Sequence, residues 1–118
     1  MVSTGVDIIE VKRIKKIILS NKRFLNKVYM PTEILYCNSK KNKWQHFAVR
    51  FAAKEAIWKA LGEKDLWHRD ITVKNAPDGK PDVILSKKYK NLEKMISLSL
   101  SHTDNYAVAF AIYDDSRK

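Results

Sequence analysis

Apolar residues recur every three or four positions in the first half of the chain, which is the spacing of one face of an α-helix. Over residues 10–19 lysine and arginine occupy the opposite face, so the pattern predicts an amphipathic helix. Asn21 and Pro31 are typical helix starts and predict two shorter helices. The longest helical pattern covers about residues 43–61 and is expected to end at Gly62, because glycine commonly follows a helix.

Apolar and polar residues alternate in the last third of the chain, which is the period-two pattern of a β-strand. One run covers residues 96–100 and a second covers residues 106–112. The residues from His102 to Asn105 lie between the two runs and predict the loop of an antiparallel hairpin.

Further segments add to this outline. Residues 2–9 begin with small and β-branched side chains and predict a short strand that ends near Asp7. Residues 71–73 and 83–85 flank a turn rich in proline and glycine, which predicts a second pair of strands. Residues 86–94 predict another helix.

These elements place the protein in the α+β class, as a small antiparallel sheet packed against one long helix and shorter helices. The length of 118 residues fits one domain, residues 1–118, with no repeat and no linker rich in proline and glycine. A chain of this size can bury a substantial core.

The composition of the chain shows one unusual property, a strongly positive net charge. Lysine and arginine number 23 against 13 acidic residues, giving a net charge of +10. Such a field attracts nucleic acid, an anionic membrane, a phosphorylated ligand or an acidic protein, and composition does not choose among them.

No apolar run is long enough to span a membrane and no secretory leader is seen, so we expect neither a membrane span nor secretion. The single cysteine, Cys37, fits a reducing compartment, and we expect the cytoplasm.

Four charged residues lie close together on the long predicted helix. Arg50 and Lys54 share one face, and Glu55 and Lys59 share a neighbouring face, because each pair is four residues apart. Spacing alone favours an ordinary solvated face with one helix-stabilising ion pair. The alternative is an anionic ligand held beside a carboxylate that binds a metal ion.

Asp7 and His102 are the remaining candidates for chemistry. A carboxylate at the end of a strand is most often a turn or cap residue, and a histidine beside a loop is most often a surface residue. The functional alternative is that Asp7 and Glu55 meet as oxygen ligands of Mg²⁺, which usually takes only one or two carboxylates. Sequence spacing does not show whether they meet.

Four segments follow one another in the order and spacing of a family signature. The first runs from Gly5 to Ile14, and the second runs from Arg50 to Ala56 and continues to Gly62. The third and fourth are Asp78-Gly79-Lys80-Pro81 and Ser99-Leu100-Ser101-His102-Thr103. Together they resemble the holo-(acyl-carrier-protein) synthases, the short bacterial-type branch of the 4′-phosphopantetheinyl transferase family, over essentially the whole chain.

The resemblance implies an Mg²⁺-dependent enzyme that transfers 4′-phosphopantetheine from coenzyme A to a serine of apo acyl carrier protein. The second product is adenosine 3′,5′-bisphosphate, and the pathway is fatty acid biosynthesis. Asp7 and Glu55 fall on the family's metal positions, and Lys59 joins them as a catalytic residue that neutralises the pyrophosphate. We also expect Glu55 to receive the serine proton, directly or through water.

The resemblance also implies two sets of binding residues and an assembly. The short-branch enzymes are homotrimers whose active sites lie between two protomers. The positions that hold coenzyme A are Arg50, Lys54, Lys59, Gly62, His102 and Thr103. The positions that dock the acidic carrier protein are Arg13, Ile17, Arg23 and Phe24.

The sequence departs from the family pattern near the expected nucleotide pocket. Val49 and Trp58 replace small residues that relatives often carry, and Glu63-Lys64-Asp65 replaces a segment with a further glycine. Trp58 is expected to pack rather than to stack on a base. Two other functions stay open: a basic nucleic-acid-binding domain, which no recognised motif supports, and a non-catalytic relative, which the presence of both Asp7 and Glu55 disfavours.

Overall fold

The computed structural model describes residues 1–117 and has α+β architecture. Its helices pack on one side of the main sheet. The α-helices within residues 1–117 are α1 (Val11–Ser20), α2 (Lys22–Val28), α3 (Pro31–Asn38) and α4 (Lys43–Leu61). Short 3-10 helices span His68–Asp70 and Lys87–Met95.

The strands form two antiparallel sheets rather than the single small sheet expected from sequence. The strands are β1 (Val2–Glu10), β2 (Ile71–Asn75), β3 (Pro81–Leu85), β4 (Ile96–His102) and β5 (Tyr106–Asp114). The three-stranded sheet has the order β1-β5-β4, and β2 pairs only with β3. In the larger sheet Asp7 lies opposite Ala109, which in turn lies opposite Leu100.

Helix α4 lies against the inner face of the three-stranded sheet because both surfaces are made of small side chains. Ala107, Ala109 and Ala111 of β5 are fully buried on this face. On α4 the residues Ala52, Ala53, Ala56 and Ala60 are buried as well. Gly5 of β1 allows the closest approach, since a methyl group there would lie only 1.9 Å from the carbonyl oxygen of Ala56. This packing carries the residues of β1 next to those of α4.

The helix starts and stops follow the sequence signals. The Asn21 side chain accepts a hydrogen bond from the backbone of Arg23 at 3.1 Å and so caps α2. Gly62 ends α4 with a φ of 66°, a left-handed conformation that favours glycine. The segment predicted as a helix over residues 86–94 is a 3-10 helix instead. None of the helices within residues 1–117 has the length and hydropathy of a membrane span.

Candidate functional site

Asp7 and Glu55 face the same surface cavity, which has a volume of about 450 Å³. Asp7 reaches it from the inner face of β1, and Glu55 reaches it from α4. Arg13 and Ile17 of α1 and Phe51 of α4 line the same cavity. We call this space the carboxylate cavity. It joins residues from the first two signature segments, which are far apart in the sequence.

Lys59 lies beside Asp7 at the edge of this site. Its Nζ is 3.3 Å from Asp7 Oδ1 and donates a hydrogen bond of 2.9 Å to the carbonyl oxygen of Val6. Burial raises the pKa of the Asp7 carboxyl group. The hydrogen bond and positive charge of Lys59 lower this pKa, and the negative charge of Glu55 raises it. The two carboxylates therefore repel each other, and a cation placed between them would be stabilised.

The chemistry of the donor set fits a magnesium ion held by few protein ligands. Within the part of the chain that the structure describes, no group of three or more histidine, cysteine and acidic residues lies together. Two carboxylates facing one open cavity are nevertheless sufficient for Mg²⁺, because this ion retains waters and binds phosphate oxygens. The set does not resemble a zinc site, which requires about four nitrogen or sulfur ligands or three with water.

His68 contacts Glu55, which the spacing of these residues along the chain does not predict. Its Nε2 lies 3.6 Å from Glu55 Oε1, and its ring stacks on Phe51 with centroids 5.4 Å apart. His68 belongs to the first 3-10 helix, so no helical spacing relates it to Glu55. The histidine is therefore held over one side of the carboxylate cavity.

Lys54 is held by protein groups in the single chain, and its expected contact with coenzyme A stays a prediction. Its side chain is fully buried and forms an ion pair of 2.7 Å with Glu33, also buried. Lys54 Nζ also donates hydrogen bonds to the carbonyl oxygens of His68 and Ile71. Glu33 Oε2 accepts a hydrogen bond of 3.1 Å from the backbone of Val73. Through these contacts the Lys54–Glu33 ion pair links α3, α4 and β2.

Arg50 is likewise used inside the protein. Its guanidinium donates hydrogen bonds to the Val73 carbonyl oxygen at 3.2 Å and to Asn75 Oδ1 at 3.0 Å. It also lies 4.4 Å from the centre of the Tyr36 ring. Only 3% of the Arg50 surface is exposed in the single chain. Its expected role as a coenzyme A ligand stays a prediction.

Gly62 and Lys59 border a shallow depression of about 380 Å³ at the end of α4. Trp58 and Lys64 line it too. Trp58 is 43% exposed within one chain, and its predicted packing against the next protomer stays a prediction.

His102 and Thr103 lie away from the carboxylate cavity. His102 belongs to the end of β4, and its ring lies 6.3 Å from that of His46 near the start of α4. The Thr103 hydroxyl oxygen accepts hydrogen bonds from the backbone of the hairpin loop. His46 is about 14 Å from Glu55 along α4, and neither His102 nor Thr103 lines the carboxylate cavity.

The four residues expected to dock a carrier protein divide between two surfaces. Arg13 and Ile17 line the carboxylate cavity. Phe24 packs on Phe51 with ring centroids 5.9 Å apart, at the side of that cavity. Arg23 lines a different groove, which lies between α2 and the first 3-10 helix.

Comparison with known proteins gives concordant matches. The family model described as the 4′-phosphopantetheinyl transferase superfamily matches residues 3–111. The holo-(acyl-carrier-protein) synthase of Koribacter versatilis is 42% identical and covers 98% of this chain and 99% of its own. That of Thermodesulfovibrio yellowstonii is 47% identical, with 92% and 94% covered. The crystal structure of the Bacillus anthracis synthase in complex with CoA (3′,5′-ADP) has a TM-score of 0.80 at 34% identity, covering 94% of both chains.

Proposed function

The chain belongs to the 4′-phosphopantetheinyl transferase superfamily, and on this premise we propose that it is a holo-(acyl-carrier-protein) synthase. It transfers 4′-phosphopantetheine from coenzyme A to a serine of apo acyl carrier protein, for fatty acid biosynthesis, and releases adenosine 3′,5′-bisphosphate. The observation that carries the proposal is the meeting of Asp7 and Glu55 in one cavity. The relative from Bacillus anthracis was crystallised with coenzyme A.

Asp7 and Glu55 would hold the Mg²⁺ ion, which when bound supplies positive charge to the pyrophosphate. Lys59 adds a second positive charge from the next turn of α4, at a position fixed by its contacts with Val6 and Asp7. Because phosphoryl transfer depends mainly on positioning and on neutralising charge, these three residues are the proposed catalytic set. Glu55 is the proposed acceptor of the serine proton.

Coenzyme A is proposed to lie across two copies of the chain. Lys59 and Gly62 border the carboxylate end of α4, whereas His102 and Thr103 lie at the other end. A second copy that presents its His102 and Thr103 to the first would complete the phosphate contacts. This arrangement supports the homotrimer with active sites between protomers.

The outer face of the three-stranded sheet is the proposed contact between copies. Val6 and Phe110 lie opposite each other in adjacent strands and are 55% and 42% exposed. Ile8 and Tyr106 extend the same apolar face. Exposed apolar patches of this kind commonly mark subunit contacts, and here the copies would bury them together.

The proposed setting is a reducing compartment, the cytoplasm, in keeping with the single buried thiol of Cys37. Because the chain belongs to this family, we propose the transferase rather than a nucleic-acid-binding domain. A non-catalytic carrier-binding protein remains as an outcome of the test below.

The direct test is to incubate the protein with coenzyme A, Mg²⁺ and apo carrier protein and to measure the carrier's mass. We expect a phosphopantetheine adduct on one serine. Glu55→Gln should abolish the adduct while retaining the fold, and Asp82→Asn, which alters an exposed carboxylate on β3 outside the carboxylate cavity, should retain activity. Carrier binding without an adduct from the unaltered protein would indicate the non-catalytic alternative, and near-normal turnover by Glu55→Gln would remove Glu55 from its role.

A further inference from the structure

Glu55 lies between two cavities and lines both of them. On one side is the carboxylate cavity, which Asp7 also lines. On the other side is a second cavity of about 380 Å³, whose walls include Trp58, Leu66 and His68. Among the residues that the structure describes, only Glu55 belongs to the lining of both. Its carboxylate can therefore meet different groups on its two sides.

His68 reaches Glu55 from the side of the second cavity. Its Nε2 atom lies 3.6 Å from Glu55 Oε1, and no other ion pair described within residues 1–117 involves Glu55. Lys59 follows Glu55 by one turn of α4, but it pairs with Asp7 instead. His68 is thus the charged or chargeable side chain that contacts the Glu55 carboxylate.

Three contacts hold His68 in place. Its ring stacks on Phe51 with an angle of 18° between the ring planes. Its carbonyl oxygen accepts a hydrogen bond of 3.0 Å from the buried Lys54 Nζ. The 3-10 helix that carries it ends at Asp70, whose carboxylate accepts a hydrogen bond of 2.8 Å from the Ser86 hydroxyl group. A side chain that is fixed by its own packing can orient a more flexible neighbour.

A carboxylate has two oxygen atoms, and His68 contacts one of them. A neutral imidazole can carry its hydrogen on Nε2 and donate it to Glu55 Oε1. The separation of 3.6 Å is longer than a hydrogen bond, but contacts of this kind often tighten when a ligand binds. Holding Oε1 on the side of the second cavity leaves the other oxygen, Oε2, for the side of Asp7.

We propose that His68 is a positioning residue for Glu55. Through its Nε2 hydrogen it holds Oε1 and thereby presents Oε2 to the cation that Glu55 and Asp7 would share. This inference rests on the proposed function, because it takes Glu55 as a metal ligand. It requires no change in the charge of His68, since a neutral ring is also a donor. Loss of the contact should weaken metal binding, because a freely rotating carboxylate must then be ordered by the ion.

The test uses Mn²⁺ as the probe and measures its affinity for the protein in the presence of coenzyme A, by calorimetry. His68→Phe keeps a ring that can stack on Phe51 and removes the nitrogen donor. It should weaken Mn²⁺ binding roughly tenfold and lower kcat by a similar factor. The KM for carrier protein and the Kd for coenzyme A without added metal should stay within about twofold, because the change acts on the metal site.

The conservative variant separates hydrogen bonding from packing. His68→Gln supplies an amide N–H group in reach of Glu55 but no ring. It should return Mn²⁺ affinity and kcat to within about threefold of the unaltered protein. Equally weak Mn²⁺ binding in His68→Phe and His68→Gln would overturn the proposal, because the ring would then matter rather than the donor. Weaker metal-free binding of coenzyme A in His68→Phe would overturn it by making His68 a nucleotide contact.

A double-variant cycle shows whether His68 acts through Glu55. In a Glu55→Ala background, adding His68→Phe should change Mn²⁺ affinity by less than about twofold, because the carboxylate that it positions is absent. A further tenfold loss in that background, relative to Glu55→Ala alone, would overturn the proposal, since His68 would then act on the ion itself or on the fold. Thermal unfolding of each variant verifies the fold.

Mn²⁺ binding is measured without turnover, so this proposal and the proposed activity can fail separately. If the unaltered protein binds Mn²⁺ with coenzyme A but forms no adduct on carrier protein, the activity fails. Weaker Mn²⁺ binding in His68→Phe, restored in His68→Gln, then still supports the positioning role. Equal Mn²⁺ affinity in the unaltered protein and in His68→Phe removes that role even when the adduct forms. An unaltered protein that binds no Mn²⁺ removes it as well.

Discussion

At the scale of single residues, adjacent side chains on α4 have opposite environments. Lys54 is fully buried and Glu55 reaches a cavity, because successive residues on a helix point about 100° apart. Burial lowers the pKa of Lys54, and the ion pair with Glu33 opposes that shift by favouring the charged form. The pair also holds the His68 carbonyl oxygen, so it helps to fix the histidine beside Glu55.

Lys54→Met should lower the free energy of unfolding by about 3–5 kcal/mol, because it leaves the Glu33 carboxylate buried without its partner. Adding Glu33→Gln should restore part of the loss, since the remaining group is neutral. Urea unfolding at neutral pH measures both effects. Lys74→Met, an exposed change on β2, should cost less than about 0.5 kcal/mol. A cost that small for Lys54→Met would contradict the structural role.

Cys37 gives a prediction about pH. Burial raises the pKa of its thiol from 9.0 to about 12, so the folded protein keeps the thiol protonated after the unfolded chain has lost its proton. The unfolded state then binds fewer protons, and this residue lowers stability as pH rises above about 9. Cys37→Ala should therefore lose less stability than the unaltered protein between about pH 8 and pH 10.5 in urea unfolding. Equal losses would mean that the thiol is accessible, and rapid alkylation of the native protein would agree with that result.

At the scale of elements, the contact between β1 and α4 positions the site. It sets Asp7 near Glu55 and lets Lys59 reach the Val6 carbonyl oxygen. The contact depends on Gly5, where the strand comes close to the helix backbone. The first family-signature segment is therefore required for packing as well as for its carboxylate.

Gly5→Ala should destabilise the fold by at least about 3 kcal/mol, because the added methyl group would overlap the backbone of Ala56 rather than a movable side chain. Activity should fall with it, since β1 must shift and Asp7 moves with β1. Thr4→Ala, which alters the neighbouring exposed residue, is the matched control and should cost little. Chemical denaturation of both variants provides the measurement. A stable Gly5→Ala protein would show that the strand and helix are farther apart than described.

Local sequence patterns predicted the elements better than they predicted the contacts between them. Helix α4 covers the range that its pattern and Gly62 indicated, because helix periodicity and the left-handed end are local properties. The segment at residues 86–94 became a 3-10 helix, a distinction that its short pattern does not encode. Glu33 was missed as the partner of Lys54, since the pair is formed by packing α3 on α4. The clustering of Asp7 with Glu55 came from the family resemblance rather than from spacing.

At the scale of the whole molecule, the separation of the two proposed binding regions and the exposed face of the sheet both indicate that copies of the chain assemble. A single chain exposes Val6, Ile8 and Phe110 to water and leaves His102 outside the lining of the carboxylate cavity. Burying the sheet face between copies would remove apolar surface from water and would bring the distant ends of different chains together. Assembly and activity should therefore depend on each other.

Phe110→Glu should separate the assembly into chains of 13.7 kDa, because a charge in the centre of an apolar contact is left without water or a partner. The unaltered protein should have three times that mass in sedimentation experiments. Leu35→Glu makes the same kind of change at an exposed residue of α3, outside the sheet face, and should leave the mass unchanged. A monomeric unaltered protein would exclude the homotrimer.

Mixing two inactive variants tests whether each active site draws on two chains. Glu55→Gln removes the carboxylate end of a site, and His102→Ala removes the proposed phosphate contact from the other end. If each site uses Glu55 of one chain and His102 of the next, some mixed assemblies contain one intact site, and activity should return in part after the chains exchange. If instead each site lay within one chain, every chain in the mixture would lack one of the two residues, so mixing would restore nothing. Activity measured before and after exchange, with each variant alone as the control, decides between the two, and no recovery despite proven exchange would place the whole site within one chain.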